Sequence, residues 1–357
     1  MNESAMPSAA HSDFSGERVE WVDIAKGICM MSVVILYAVN KLDAVSGGSG
    51  WLKAWADFTK PFRMPDFFLL SGLLLHRAID RPWKDYLDKK VFHYVYFFIL
   101  WSVIYHLTEV GAFRAGLVRG QGDASTLWHK LVEPFAMLWF IQLLPAFFLL
   151  TRLIRRFPAW IVLPIAVALQ VFPPRGTHAI FVMEFCERFV FFYLGHLFAG
   201  AFFGLADWAQ SRKSLALLGV ALWMLLNETL VLKGWAPMKG VALGLGVLGA
   251  FGLTLGGTLL VQLRQAAWLK YLGRNSFVVY LGFYLPMFLT LIVLRRTHLG
   301  LDKGTMGAVA SILSVFAALS LFWITKKSWL RFLFARPAWA MTTHVPSSAL
   351  KEEPELG

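Results

Sequence analysis

The sequence predicts an all-α, polytopic membrane protein of about ten transmembrane helices. Three observations carry that prediction. Hydrophobic residues make up 57% of the 357, charged residues only 16%. A soluble domain of this size needs more charge to cover its core. Aromatic residues are abundant, with 31 Phe and 15 Trp, as expected where rings face lipid and Trp marks the interfaces. Finally, apolar runs of spanning length recur from end to end.

A helical crossing takes about 20 mostly apolar residues. Runs of that kind lie near 24–42, 61–80, 91–110, 134–153, 159–175, 180–204, 215–232, 240–262, 269–294 and 305–325. They divide the chain into a polar amino-terminal tail (1–20), a membrane domain (21–335) and a polar carboxyl-terminal tail (336–357). The first residues lack the basic-then-apolar layout of a cleaved signal peptide, so the first run is expected to stay as a helix. Lys and Arg concentrate on the side that holds Arg18, the loop Arg77–Lys90, Arg152–Arg156 and the tail Lys326–Lys351. The positive-inside rule then places both termini in the cytoplasm, as in a bacterial inner-membrane protein.

The net charge of +12 does not indicate nucleic-acid binding. The basic residues sit in short loops between apolar runs and form no patch interleaved with aromatics. Cys29 and Cys186 both fall inside apolar segments, so they build neither a disulfide framework nor a metal cluster. No metal is expected.

Ionisable residues inside apolar spans are costly unless paired or facing a cavity, which makes them candidates for function. In the first span, WVDIAKGICMMSVVILYAVN, Asp23 and Lys26 have a spacing that allows pairing. Tyr37 lies eleven residues beyond Lys26, on nearly the same helix face and roughly 16 Å further along. Lys26, Met30, Val33 and Tyr37 thus form one stripe, although an interfacial lysine and an ordinary membrane tyrosine would look the same.

The second span opens KPFRMPDFFLLSG. Arg63 and Asp66, with Pro65 between them, suit capture of an anionic or carbonyl oxygen; an Arg63–Asp66 pair is the alternative. In the sixth span Glu184 and Arg188 have the spacing of a neutralising pair, with Glu187 beside them. The Gly-rich stretch 240–257 places small residues such as Gly240, Gly244 and Gly252 at helical intervals, which favours close helix packing. His76, His93, His106 and His196 occur singly, as packing histidines do.

These segments together resemble the membrane acyltransferase-3 family, especially its sugar O-acetylase-like members. WVDIAKG is similar to the family's opening of the first helix. FRMPDFFLLSG resembles its Met-Pro-(any)-Phe-Phe signature with the preceding Arg and trailing Ser-Gly. LWFIQLLPAFF at 138–148, which includes Trp139, is similar to its Trp-Phe segment. FVFFYLGHLF and YLGRNSFVVYLGFYLPM resemble its later aromatic-Gly and Leu-Gly-(basic)-Asn-Ser segments. The order matches across most of the chain.

The resemblance implies transfer of an acyl group, usually acetyl, from a cytosolic acyl-CoA such as acetyl-CoA to a hydroxyl of a cell-surface sugar or polysaccharide. Polysaccharide-assembly proteins are the partners it implies. It places catalysis at position 37 and Arg63, with Lys26, Asp23, Asp66, Trp139, Glu187 and Arg188 binding substrate. The family's first helix carries a basic residue, ten intervening residues and then a catalytic His; here those positions are Lys26 and Tyr37. An imidazole can accept a proton at pH 7, whereas a phenol of ordinary pKa about 10 is a poor base there. A His from another helix, such as His76, is a candidate replacement. Two other functions compete: a non-catalytic relative acting as a partner or regulator, and a small-molecule transporter. A transporter would favour repeated halves, and the sequence has no such symmetry.

Overall fold

A computed structural model describes residues 19–114, 125–134, 137–174, 179–297 and 300–341. The described elements are all helical, with no strand among them. The chain opens with α1 (Glu20–Ser46), a short α2 (Leu52–Thr59) and α3 (Arg63–Leu75). Next, α4 (Trp83–Leu87) runs through one wide π turn, Asp88–Phe92, into α5 (His93–Arg114). The short α6 (Ser125–Val132) precedes α7 (Trp139–Leu153) and α8 (Ala159–Val171). Further on come α9 (Ile180–Leu197), α10 (Ala199–Ser211), α11 (Lys213–Leu232) and α12 (Lys239–Val261). The last four are α13 (Ala267–Arg274), α14 (Ser276–Gly282), α15 (Tyr284–Arg296) and α16 (Lys303–Thr325).

Five helical stretches are long and apolar enough to cross a membrane, and seven if the bent pairs α9–α10 and α14–α15 each count once. The runs expected at 61–80, 134–153 and 159–175 correspond to α3, α7 and α8, of 13, 15 and 13 residues. At 1.5 Å per residue none of these covers a hydrocarbon core of about 30 Å unaided. By length and composition, five to seven of the ten expected runs form a crossing within the described residues.

Backbone chemistry explains one of the two bends. Pro286 has no N–H to give the carbonyl of Gly282, four residues earlier, and the chain turns by 54° between α14 and α15 at Phe283. The Tyr284 ring therefore enters the interior at an angle that a straight helix would not give it.

α1 is the central element, with 61% of its apolar window buried against 11% for α11, whose outer side is left for lipid. It packs on α12, α13 and α16. Glycines set two close crossings. A Cβ at Gly27 would strike the carbonyl of Leu269, and one at Gly273 the carbonyl of Asp23, so α1 and α13 touch backbone to backbone. The same reciprocity joins α3 to α9, where Gly72 faces the carbonyl of Phe192 and Gly195 that of Leu69. Such contacts suit an environment where dispersion and close approach, rather than the hydrophobic effect, hold helices together.

On α12 the packing glycines are Gly246, Gly249, Gly252 and Gly257. Gly240 and Gly244, expected to share that role, have no neighbour within 4 Å. Both cysteines are buried and free. Arg336, where the polar carboxyl-terminal tail was expected to begin, is itself buried and paired with Asp88.

Candidate functional site

The first-helix stripe faces inward, since Met30 and Val33 are buried and Lys26 and Tyr37 half-buried. Its two ends differ. At the amino-terminal end Asp23 pairs with Arg274 of α13 (3.0 Å), and Glu20 pairs with Lys270. Asp23 thus finds a cation on a second helix, because the Gly27–Gly273 crossing brings α13 within one side-chain length.

Tyr37, three turns away, lies in a mostly aromatic setting. Its ring meets Phe283 (5.7 Å between centroids) and Tyr284 (6.1 Å) edge-on, at the α14–α15 bend. The Trp139 side chain lies against Tyr37, and Arg63 and Glu184 lie within electrostatic reach of it. Trp139 is held by its own support. Tyr280 donates its hydroxyl proton to the carbonyl of Met137, at the start of α7.

Arg63 is 5% exposed. One terminal guanidinium nitrogen donates to the carbonyl of Ala56 (2.8 Å) and to the hydroxyl of Thr59 (3.3 Å), so Arg63 closes the end of α2. Its Nε has no hydrogen-bond partner among the described residues. The expected alternative, an Arg63–Asp66 pair, does not form. Asp66 is 1% exposed, and neither carboxylate oxygen has a partner among the described residues. The cause is local: Arg63 turns back towards α2, and Asp66 faces Gly249 of α12 and the Cys29 side of α1.

On α9 the expected pair is present. Arg188 binds Glu184 (3.0 Å) and also Glu187 (3.5 Å), and all three are half-buried. Arg188 lies within electrostatic reach of Arg63. Two cations near each other favour binding of negative charge or of a polarised oxygen.

Tyr37, Arg63, Trp139, Glu184 and Arg188 thereby lie within electrostatic reach of one another in a partly buried polar centre, with Asp66 one helical turn from Arg63. Asp23 and Lys26 lie about 21 and 16 Å from Tyr37 along α1 and belong to the other end of the bundle. His76 is exposed and thirteen residues from Arg63 on α3, about 20 Å along the axis, so it does not serve this centre. Sequence reasoning missed Phe283 and Tyr284 as walls of the site. Pro286 was the signal for them, since it places the bend that aims both rings at Tyr37.

The chain matches the family described as an acyltransferase domain over residues 19–327. It is also 25% identical over 190 residues to the inner membrane protein YcfT of Escherichia coli (strain K12), covering 45% of this chain and 52% of that protein. The chain thus spans about half the length of the curated relative it matches. No solved structure matches it.

Proposed function

This chain belongs to the acyltransferase-domain family, and from that premise we propose that it is an integral membrane O-acyltransferase working at the Tyr37–Arg63 centre. Its donor is a cytosolic acyl-CoA, with acetyl-CoA the first choice, and its acceptor a hydroxyl of a cell-surface sugar or polysaccharide. The observation that supports this best is the convergence of Arg63, Trp139 and Tyr37 from three different helices beside the Phe283 and Tyr284 rings.

Each residue then has a role. The Arg63 guanidinium, already fixed at one nitrogen by α2, presents Nε to the oxygen that gains negative charge when the thioester carbonyl is attacked. Prior fixation means little reorganisation at the moment of reaction. Trp139, Phe283 and Tyr284 offer flat apolar walls against which the C–H face of a sugar ring packs, while the Tyr37 hydroxyl supplies a hydrogen bond to orient the acceptor. Arg188, held by Glu184 and Glu187, adds positive potential beside Arg63. Lys26 neutralises anionic groups of the donor nearer the cytoplasm. This arrangement goes with an inner-membrane location and both termini in the cytoplasm.

The test is acetylation of surface glycan hydroxyls in a strain deleted for the gene and complemented with wild type, Arg63→Ala or Tyr37→His. Wild type restores acetylation and Arg63→Ala lowers it by about 10²-fold or more, as for other charge-stabilising donors. Normal acetylation with Arg63→Ala contradicts the site. Tyr37 itself favours a second reading, a non-catalytic relative. That reading predicts unchanged acetylation on deletion and a gain of activity with Tyr37→His alone.

A further inference from the structure

Resting on the acyltransferase reading above, we propose that Asp66 is the base that removes the acceptor hydroxyl's proton, the task that the family resemblance gives to an imidazole at position 37. The transfer needs such a group, because an alcohol is a weak nucleophile until its proton has somewhere to go. A neutral phenol at position 37 is suited to donating a hydrogen bond instead.

The carboxylates of the described residues sort themselves by their partners. Glu184 and Glu187 are both held by Arg188, Asp23 by Arg274 and Asp57 by Lys53. Asp66 is buried beside the centre with both oxygens unpartnered. One turn away on α3, the Nε of Arg63 also lacks a partner. A donor and an acceptor that decline each other on the same turn are matched to a substrate that brings one of each, a carbonyl oxygen for Arg63 and a hydroxyl proton for Asp66.

Packing preserves that state. Gly249 of α12 backs the carboxylate so closely that a Cβ there would lie 2.7 Å from Oδ2. From α1 the titratable group facing Asp66 is the Cys29 thiol. From α9 the charges Glu184 and Arg188 reach the centre beside Arg63, and the described part of α12 near Asp66 brings glycines and no charge. The four described imidazoles are less well placed. His76 and His196 lie together at the far end of α3 and α9 (6.1 Å between rings), and His93 is beside Asp88 and Arg336. His106 is buried on α5, which packs chiefly on α6, α7 and the π turn.

In the transfer step the acceptor O–H bond breaks and its proton passes to an Asp66 oxygen. The acceptor oxygen bonds the thioester carbonyl carbon, the carbon–sulfur bond breaks, and the departing sulfur takes the proton from Asp66. Alcohol and thioester become ester and thiol, and Asp66 returns to its carboxylate form.

The experiment uses membranes containing the full chain, with radiolabelled acetyl-CoA as probe. It follows label in the membrane glycan and lipid fraction as a function of pH, alongside the thermal midpoint of the solubilised protein. Wild type transfers label, with a rate that rises with pH to a plateau. Asp66→Asn lowers the plateau by about 10²–10⁴-fold while its thermal midpoint stays level or rises, because no buried carboxyl remains to be desolvated on ionising. Asp66→Glu keeps activity with a displaced pH profile. Tyr37→His introduced into Asp66→Asn recovers transfer, an effect that a purely structural role does not give.

Transfer by Asp66→Asn within twofold of wild type overturns the proposal and leaves the acyltransferase reading standing. So does a loss that follows a fall in thermal midpoint, or a loss found with His106→Gln and not with Asp66→Asn. No transfer by wild type overturns the reading and the proposal together.

Discussion

The two ends of α1 carry similar kinds of residue and treat them in opposite ways. At its amino-terminal end the charges are spent on one another, Asp23 with Arg274 and Glu20 with Lys270, across a glycine-to-glycine crossing. Two turns and more along, where α1 faces α3, α7 and the α14–α15 bend, Asp66 and the Arg63 Nε stand unpartnered in the interior. Burying an unpaired ion costs several kcal/mol even after relaxation. A fold that needed only stability would pair or replace these groups. The contrast separates charge that holds helices together from charge kept available for a reaction.

The largest effect on transfer is expected outside both charge clusters. Gly72→Val drives a side chain into the carbonyl of Phe192, and backbone atoms cannot move aside as a flexible side chain does. Overpacking of this kind costs about 1–3 kcal/mol or more, and here it parts α3 from α9, which carry Arg63 and Arg188. Size-exclusion of the solubilised variant is expected to show loss of the monodisperse species together with loss of transfer.

Arg188→Ala comes next. It strips Glu184 and Glu187 of their cation and removes positive potential beside Arg63. With side chains about a quarter exposed, solvent screens much of the pair, so its stability effect is only about 1 kcal/mol. Acyl transfer is expected to fall about tenfold, read as initial rate against acetyl-CoA concentration. An unchanged rate would move α9 out of the centre.

Asp23→Asn probes the amino-terminal end of α1. It removes the bond to Arg274, lowering stability by about 0.5–1 kcal/mol, visible as a small drop in thermal midpoint that shrinks in high salt. Transfer stays within twofold of wild type, because Asp23 is about 21 Å from Tyr37 along the helix.

The smallest effect is at the start of α16. Asp302 accepts bonds from the amide (3.0 Å) and hydroxyl (2.6 Å) of Thr305, and these hold its carboxyl below the usual carboxylate range. A depressed folded pKa contributes stability above the unfolded value, about 3.9, and that contribution fades as pH falls through the lower, folded one. Asp302→Ala therefore lowers the thermal midpoint slightly at neutral pH, and the difference from wild type closes in strong acid.

Much of this was legible in the sequence. The apolar runs located every long helix, and the i,i+4 spacing found the Glu184–Arg188 pair. The rotation of α1 placed Met30, Val33 and Tyr37 on its inner face. What the sequence hid depended on partners distant in the chain. Asp23 could pair with Lys26 by spacing alone, and only the crossing at Gly27 and Gly273 brings Arg274 within reach. Arg63 and Asp66 could pair by spacing as well, but α2 folds back and takes the guanidinium through Ala56 and Thr59. An apolar run reveals no break: 61–80 reads as a span, yet its helix is Arg63–Leu75. Among the small residues of 240–257, periodicity could not tell Gly249, which backs Asp66, from Gly244, where an added Cβ would meet open space.

The most direct test sets the two ends of α1 side by side: label transfer from acetyl-CoA in membranes carrying equal amounts of folded Arg63→Ala or Asp23→Asn protein. A centre built on unpartnered buried groups predicts a drop of about 10²-fold or more with Arg63→Ala and near-normal transfer with Asp23→Asn. Equal losses in both, or none in either, would mean that the division of the bundle into a structural end and a reactive one is wrong.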